Sequence, residues 1–419
     1  MKNHAKKIAA GLVASVLLFT GCTAASATTS DSVSSDSNVT IAATATETST
    51  SDSPEATAAL SEATAPTIDV DWDSLPTTEV TLNDDGLAIS EAGTYVLTGT
   101  SAGQVRVDTD GYVRIVLDGV TIDSGEGAAI QVDNAEATIL ELAEGSVNTL
   151  SDAATRSDEE IDGTIYSSDD LQITGSGTLN VTANFADAIV GKDDLWILSG
   201  TINVTSVDDG IRGKDSLTIE GGTIAIDAEG DGLKSSNDTD LGKGVLTVAG
   251  GDITIVSGDD AVKAEQAILL AGGTIDVVES VEGIEAPVIV IEDGDITVNA
   301  SDDGINASAS DIITDGLSIT INGGTLSITM GAGDTDAIDS NGDLTINGGI
   351  IDITAQSAFD FDGAGTLTDG TITVNGEQVT ELTNQMMGGG PMGGGQMDGG
   401  RIGGGPMDDG QMSDAPGPR

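Results

Sequence analysis

Seven carboxylates occupy one position of a repeated segment: Asp187, Asp209, Asp231, Asp260, Glu282, Asp303 and Asp336. Each is followed by Gly or Ala, and then by Ile, Leu or Val. A second acid precedes three of them, at Asp208, Asp259 and Asp302. Carboxylate oxygens gathered around a glycine turn are hard donors, and they suit Ca2+, which takes roughly six to eight oxygens in flexible geometry. If the segments stack as neighbouring strands, equivalent side chains lie about 4.8 Å apart. Two charges at that spacing repel by roughly 3.5 kcal/mol at an effective dielectric of about 20, and by roughly 0.9 kcal/mol in bulk water. Repulsion repeated along a ladder calls for a counter-charge.

Part of that counter-charge is in the chain. Three residues beyond the acid stand Arg212, Lys234 and Lys263, a cationic row beside three consecutive acids. Further along, the same position holds Glu285, Asn306 and Asp339, and no Lys or Arg occurs between Lys263 and Arg401. The early acids therefore have protein cations and the later ones have none. This predicts that calcium dependence is strongest in the later repeats. Zinc or copper chemistry lacks donors here, because His4 and Cys22 are the sole His and Cys. A plainer explanation exists for the acids: Asp-Gly tolerates turn geometry, and acidic surfaces keep repeat proteins soluble. Asn or Ser would serve the turn equally, so an acid kept at seven positions exceeds what the turn needs.

The elements that position these acids are short strands. A Gly-Thr-Ile-x-Val type segment begins at Gly177, Gly200, Gly222, Gly251, Gly273, Gly294, Gly324, Gly349 and Gly370, with most intervals near 22 residues. Two longer intervals carry inserts at 236–243 and 309–315. This period, with two or three strands per repeat, reads as an all-β parallel β-solenoid. Leucine-rich repeats share the period but need a Leu and Asn framework that is missing. Alternate residues such as Ile202 and Val204, or Ile224 and Ile226, form the expected core. Residues 67–160 alternate in the same way and are read as N-terminal strands, a cap and early coils; 161–380 form the main solenoid. Open ends of such a stack need caps.

Composition narrows the partners. The 419 residues include 57 Gly, nine aromatics, and 70 Asp and Glu against 14 Lys and Arg, for a formal charge of −56. Nucleic acid is excluded as a natural partner, since phosphate binding needs a basic face. Cations, or partners reached through cations, are favoured. At the N-terminus, Lys2, Lys6 and Lys7 precede an apolar run over 8–19 that is too short to span a bilayer. Thr20-Gly21-Cys22 follows, which resembles a bacterial lipoprotein signal: 1–21 would be removed and Cys22 lipidated, anchoring an exported protein outside the cell membrane. Phe19 stands where Leu is usual. Residues 22–66, rich in Ser, Thr and acids, read as a solvated tether. Residues 381–419 read as a flexible Met/Gly-rich tail, although thioethers can bind Cu(I). A monomer is expected.

The segments YSSDDLQITGSGTLNVTA (166–183), VDDGIRGKDSLTIEGGTI (207–224) and GDGLKSSND (230–238) resemble a family of bacterial surface carbohydrate-binding domains. The resemblance covers roughly 161–307 most strongly. It implies a right-handed parallel β-helix, similar in architecture to polysaccharide lyases, that binds calcium and a plant or other acidic polysaccharide. Asp208, Asp209, Asp231, Asp259 and Asp260 match the family's acidic turns best, and Glu282 departs from the usual Asp.

Three functions compete. A non-catalytic carbohydrate-binding module would use calcium, with Arg212, Lys234, Lys263 and Trp196 as candidate contacts. The aromatics do not recur with the repeat, so no stacking strip for neutral sugar is visible, and bridging of uronic acids through calcium is better supported. A polysaccharide lyase would cast Arg212, Lys234 or Lys263 as the base that removes the C5 proton. A structural adhesin or spacer would need neither ligand nor reaction.

Overall fold

The computed structural model describes Ile68 and residues 70–384 apart from Asp334. The expectations for Cys22, for residues 1–66 and for 385–419 lie outside the described residues. Among the described residues the chain is all β except for a single 3-10 turn at Trp72–Ser74. Parallel strands stack into two long sheets, the arrangement of a β-solenoid.

Each repeat supplies three strands. Ile211–Gly213, Ser216–Ile219 and Thr223–Ala228 make one such set. The first joins a sheet of 12 strands, and the other two join a sheet of 24. Register is kept from repeat to repeat: Ile189 lies opposite Ile211, Ile211 opposite Leu233, and Leu233 opposite Val262. The stack begins earlier than the plainest repeats, because Leu87–Ile89 and Val105–Asp108 already pair in the 12-strand sheet.

The alternation in the sequence becomes an inside and an outside. Thr223–Ala228 shows strictly alternating exposure and burial, with Ile224 and Ile226 inside. Ile202, Ile224 and Ile253 stack in one row, and Val204, Ile226 and Ile255 in the next. Each fully buried aliphatic side chain contributes about 1.5–3 kcal/mol, so the small β-branched residues replace a conventional aromatic core. Glycine turns the corner between the second and third strands. Gly222 has φ +103°, and a Cβ there would stand 2.9 Å from the Gly200 carbonyl oxygen, so a side chain would be both strained and crowded.

The ends differ from the repeats. At one end the guanidinium of Arg114 lies over the Trp72 ring, 5.0 Å from its centroid. At the other, Thr371–Val374 pairs antiparallel with Glu377–Val379. Asn375 and Gly376 between them have φ +52° and +83°, the tight hairpin that matches strand twist. This hairpin occupies the edge on which another repeat would otherwise stack.

Candidate functional site: an acid ladder beside a cationic row

The seven acids stand at the start of, or just before, strands of the 12-strand sheet, and the turn aligns them. Their spacing is set by backbone bonds: Gly210 N–H donates to the Asp231 carbonyl and Gly232 N–H to the Asp260 carbonyl, both at 2.8 Å. The side chains add a second ladder. The amide of Asp209 donates to Asp187 Oδ1 at 3.1 Å, that of Asp231 to Asp209 Oδ1 at 3.0 Å, and that of Asp260 to Asp231 Oδ1 at 3.0 Å. Asp336 N–H meets Asp303 Oδ1 at 3.0 Å in the later repeats. Asp187, Asp209, Asp231 and Asp303 thus each take a backbone donor from the next repeat, which offsets part of the repulsion along the ladder.

The cationic row is real and sits in strict register. Arg212 lies opposite Lys234, Lys234 opposite Lys263, and then follow Glu285, Asn306, Asp339 and Asp360. Arg212 Nε reaches Asp187 Oδ2 at 2.8 Å, and its Nη2 contacts Asp162 as well. Lys234 Nζ sits 2.7 Å from Asp231 Oδ2 and 3.2 Å from Asp209 Oδ2. Lys263 Nζ sits 2.6 Å from Asp260 Oδ2 and 2.5 Å from Glu285 Oε2. Each cation therefore spans two acids.

Burial and counter-charge go together. Asp187, Asp209, Asp231 and Asp260 are buried, whereas Glu282, Asp303 and Asp336 are half-buried, and Asp208, Asp259 and Asp302 are exposed. Burial raises Asp187 to about 7, with Arg212 pulling it down and Asp209 pushing it up. Burial alone would lower the ammonium of Lys234, but Asp209 and Asp231 together push its pKa up. Around Lys263, burial and the adjoining Glu285 carboxyl push Asp260 up, while the Lys263 ammonium pulls it down. In the later repeats burial raises Asp303 to about 6 and Asp339 to about 7; both feel Asp336 and Asp360, and among the described residues no Lys or Arg stands in their part of the row.

Among the described residues, three groups of acids bring oxygens within 4.8 Å of one another: Asp231 with Asp259 and Asp260; Asp260 with Glu282 and Glu285; and Asp170 with Asp193 and Asp194. All three precede Asp303, and the group of Asp260, Glu282 and Glu285 straddles the point where the cationic row ends. Asp187, Asp208, Asp209, Asp302, Asp303 and Asp336 stand in the ladder or beside it but outside these groups. The third group lies on the following turn. There burial and the neighbouring acids raise Asp170 to about 6 and Asp193 to about 7. Asp215 beside them would be raised by burial, but Lys243 and Asn237 bond to it and hold it below the usual carboxylate range. Paired acids at Asp169-Asp170 and Asp193-Asp194 mark this turn in the sequence, but their convergence depends on a bend that the repeat pattern does not specify.

The outward face of the 12-strand sheet carries a groove of about 680 Å3. It is lined by Tyr166, Lys192, Arg212, Lys214 and Lys234, with Glu160, Asp162 and Asp209 among them. Lys192 Nζ lies 5.6 Å from the centre of the Tyr166 ring. Arg212 and Lys234 thus serve the ladder and the groove together, and Lys263 lines a neighbouring groove with Glu285 and Ser308. Trp196 must be withdrawn as a sugar contact. It stands between Gln172 and Thr218 on the other sheet and is 4% exposed. Its ring has no free face for stacking.

A family model described as carbohydrate-binding domain-containing protein matches residues 83–331 and 279–380. The chain belongs to this family, and it is a carbohydrate-binding domain protein built on parallel β structure. A protein of that same description from Acetivibrio thermocellus is 39% identical over 137 residues, which is 29% of this chain and 48% of the relative. The chain thus spans about half the length of that relative. A solved structure of the polysaccharide lyase-like protein from C. thermocellum, a gadolinium derivative, is 30% identical, covers 52% of this chain and 96% of its own, and has a TM-score of 0.46.

Proposed function

We propose that this protein binds acidic polysaccharide, of plant or other origin, with calcium and without catalysis, on a right-handed β-helix of coils of about 22 residues. In this reading it is exported and held outside the cell membrane by a lipid at Cys22. The observation that carries the reading is the central groove. In a chain with formal charge −56, Lys192, Arg212, Lys214 and Lys234 converge on one depression beside Tyr166. Such a concentration of cations selects a ligand that carries carboxylates. Calcium fits the neighbouring turns, because their donors are carboxylate oxygens, three of them within 4.8 Å at Asp231, Asp259 and Asp260. Bound there, it would supply the positive charge to bridge protein and uronate carboxylates.

Catalysis by β-elimination would need a neutral base within reach of the C5 proton. Lys234 and Lys263 are poor bases, since the carboxylates around them outweigh burial and favour the ammonium. Pull-down on polygalacturonate, with ultraviolet absorbance of the supernatant, tests both parts. Retention in calcium and release by chelator, with no rise in absorbance, is expected. Failure to bind any acidic glycan in calcium would leave a structural spacer. A calcium-dependent absorbance signal lost in Lys234→Ala and Lys263→Ala would make the protein a lyase.

A further inference from the structure

The central groove is not alone on its sheet. A second depression of about 820 Å3 lies over the N-terminal strands, floored by Gln104, Arg106 and Gln131 and walled by Gly125–Gly127 and Thr155–Asp158. Arg156 lines it from the loop. Its side chain is 1% exposed and pairs with Asp152. Nη2 serves both Asp152 and the Gly163 carbonyl, but Nε and Nη1 are buried with no hydrogen-bond acceptor. The Phe185 ring covers the guanidinium, 4.9 Å from its carbon. Buried N–H groups without acceptors cost free energy, and a carboxylate oxygen is the acceptor an arginine N–H favours. Arg106 stands on the floor, 53% exposed and shared with Asp133.

The two depressions follow one outward row. Arg106 lies opposite Gln131, Gln131 opposite Tyr166, Tyr166 opposite Val190, and Val190 opposite Arg212. Four strand steps separate Arg106 from Arg212, about 19 Å. Between them Ile161 packs on Tyr166 and Val190, so the loop makes a saddle that divides the row. Seven of the nine Lys and Arg among the described residues line depressions on this sheet. Glu126 and Asp158 also face the second depression and repel a carboxylate placed away from the arginines.

We propose that Arg106 and Arg156 form a second carboxylate subsite, and that one acidic polysaccharide chain crosses the saddle to occupy both depressions at once. This rests on the reading of the central groove as a site for acidic polysaccharide. A chain that reaches both subsites makes the second contact intramolecularly, which raises affinity by about a hundredfold without any new contact type. A chain too short to reach gains nothing.

Isothermal titration with oligogalacturonates of increasing length, in calcium, tests it. Affinity is expected to stay level for short oligomers and to step up about a hundredfold once the extended span reaches about 19 Å. Arg106→Gln brings the long oligomers down to the affinity of the short ones, and Arg156→Lys lowers the step. Short oligomers that bind with no step at greater length would overturn the second subsite and leave the central one standing. A step that survives both substitutions would overturn it as well. No binding at any length would overturn this proposal together with the reading it rests on.

Discussion

The repeats from Asp187 to Asp260 and those from Asp303 to Asp360 have the same strands, the same register and the same acid-to-amide bonds, yet they handle charge differently. In the first group the acids are buried, and Arg212, Lys234 and Lys263 sit on them. In the second group Asn306, Asp339 and Asp360 occupy the cationic row, and Asp303 and Asp336 lie half-buried. Burying a carboxylate without a paired charge costs several kcal/mol. Where the chain supplies no cation, the ladder stays in contact with solvent, and with any ion the solvent carries. Backbone geometry fixes where the acids stand. The row beside them decides how deep they lie.

The largest effect should come from removing the cation that serves most acids. Arg212 contacts Asp162 and Asp187 and lies 3.6 Å from Asp209. Arg212→Leu leaves the buried Asp187 carboxylate unpaired and is expected to cost about 3–5 kcal/mol in urea unfolding. At the same register in the later repeats the sign should reverse. Asp339→Asn relieves repulsion from Asp303, Asp336 and Asp360 and should be neutral or stabilising in calcium-free buffer. Equal destabilisation by both would show that the row acts through packing rather than charge.

A smaller effect follows from pH and calcium together. Burial, aided by neighbouring acids, raises Asp303 to about 6 and Asp339 to about 7, against 3.8 unfolded. A folded pKa above the unfolded one means that folding takes up protons. Stability from these groups is therefore full below about pH 4 and lost as pH rises through 6 and 7. In chelator, the melting temperature should climb as pH falls from 8 to 6. Calcium at pH 8 should replace the protons and flatten that slope, adding about 2.7 kcal/mol at a hundred times its dissociation constant. Hydrogen exchange locates the change: protection in Ile305–Ala307 and Asp336–Ser340 should respond more than in Ile211–Gly213. Identical pH profiles with and without calcium would remove the metal from the later repeats.

The sequence made the stack and its rows legible because a period-locked residue must meet its own copies. Asp209, Asp231 and Asp260, and Arg212, Lys234 and Lys263, align on spacing alone. Depth was not legible: the period does not say that Asp187 is buried while Asp303 is half-buried. Trp196 illustrates the same gap, since its place in Leu195-Trp196-Ile197 leaves packing and exposure equally open, and the structure buries it. Arg106 and Gln131 share the row of Arg212, but no Asp-Gly turn marks their repeats, and the Asp162-Gly163 pair before Tyr166 is offset by one residue from the ladder, so spacing gives no alignment. Arg156 comes from an irregular loop, where no periodicity applies. The acid-to-amide ladder depends on which way each carboxylate turns, and composition carries no information about that.

The smallest expected effects are the most discriminating for calcium. Asp259 and Asp302 occupy the same place before the ladder acid, and both are exposed. Without metal, Asp259→Asn and Asp302→Asn should each change stability by no more than about 0.5 kcal/mol, as solvated surface substitutions do. In calcium they should part. Asp259 lies within 4.8 Å of Asp231 and Asp260 oxygens, but Lys234 and Lys263 already hold those two acids. An incoming ion would have to share them with ammonium groups. Asp302 adjoins Asp303, which also feels Asp336, and the row beside them holds Asn306 and Asp339 rather than a lysine. Asp302→Asn should therefore remove more of the calcium-induced rise in melting temperature than Asp259→Asn. The opposite order would mean that close oxygen spacing outweighs the lysines, and it would move calcium to the earlier repeats.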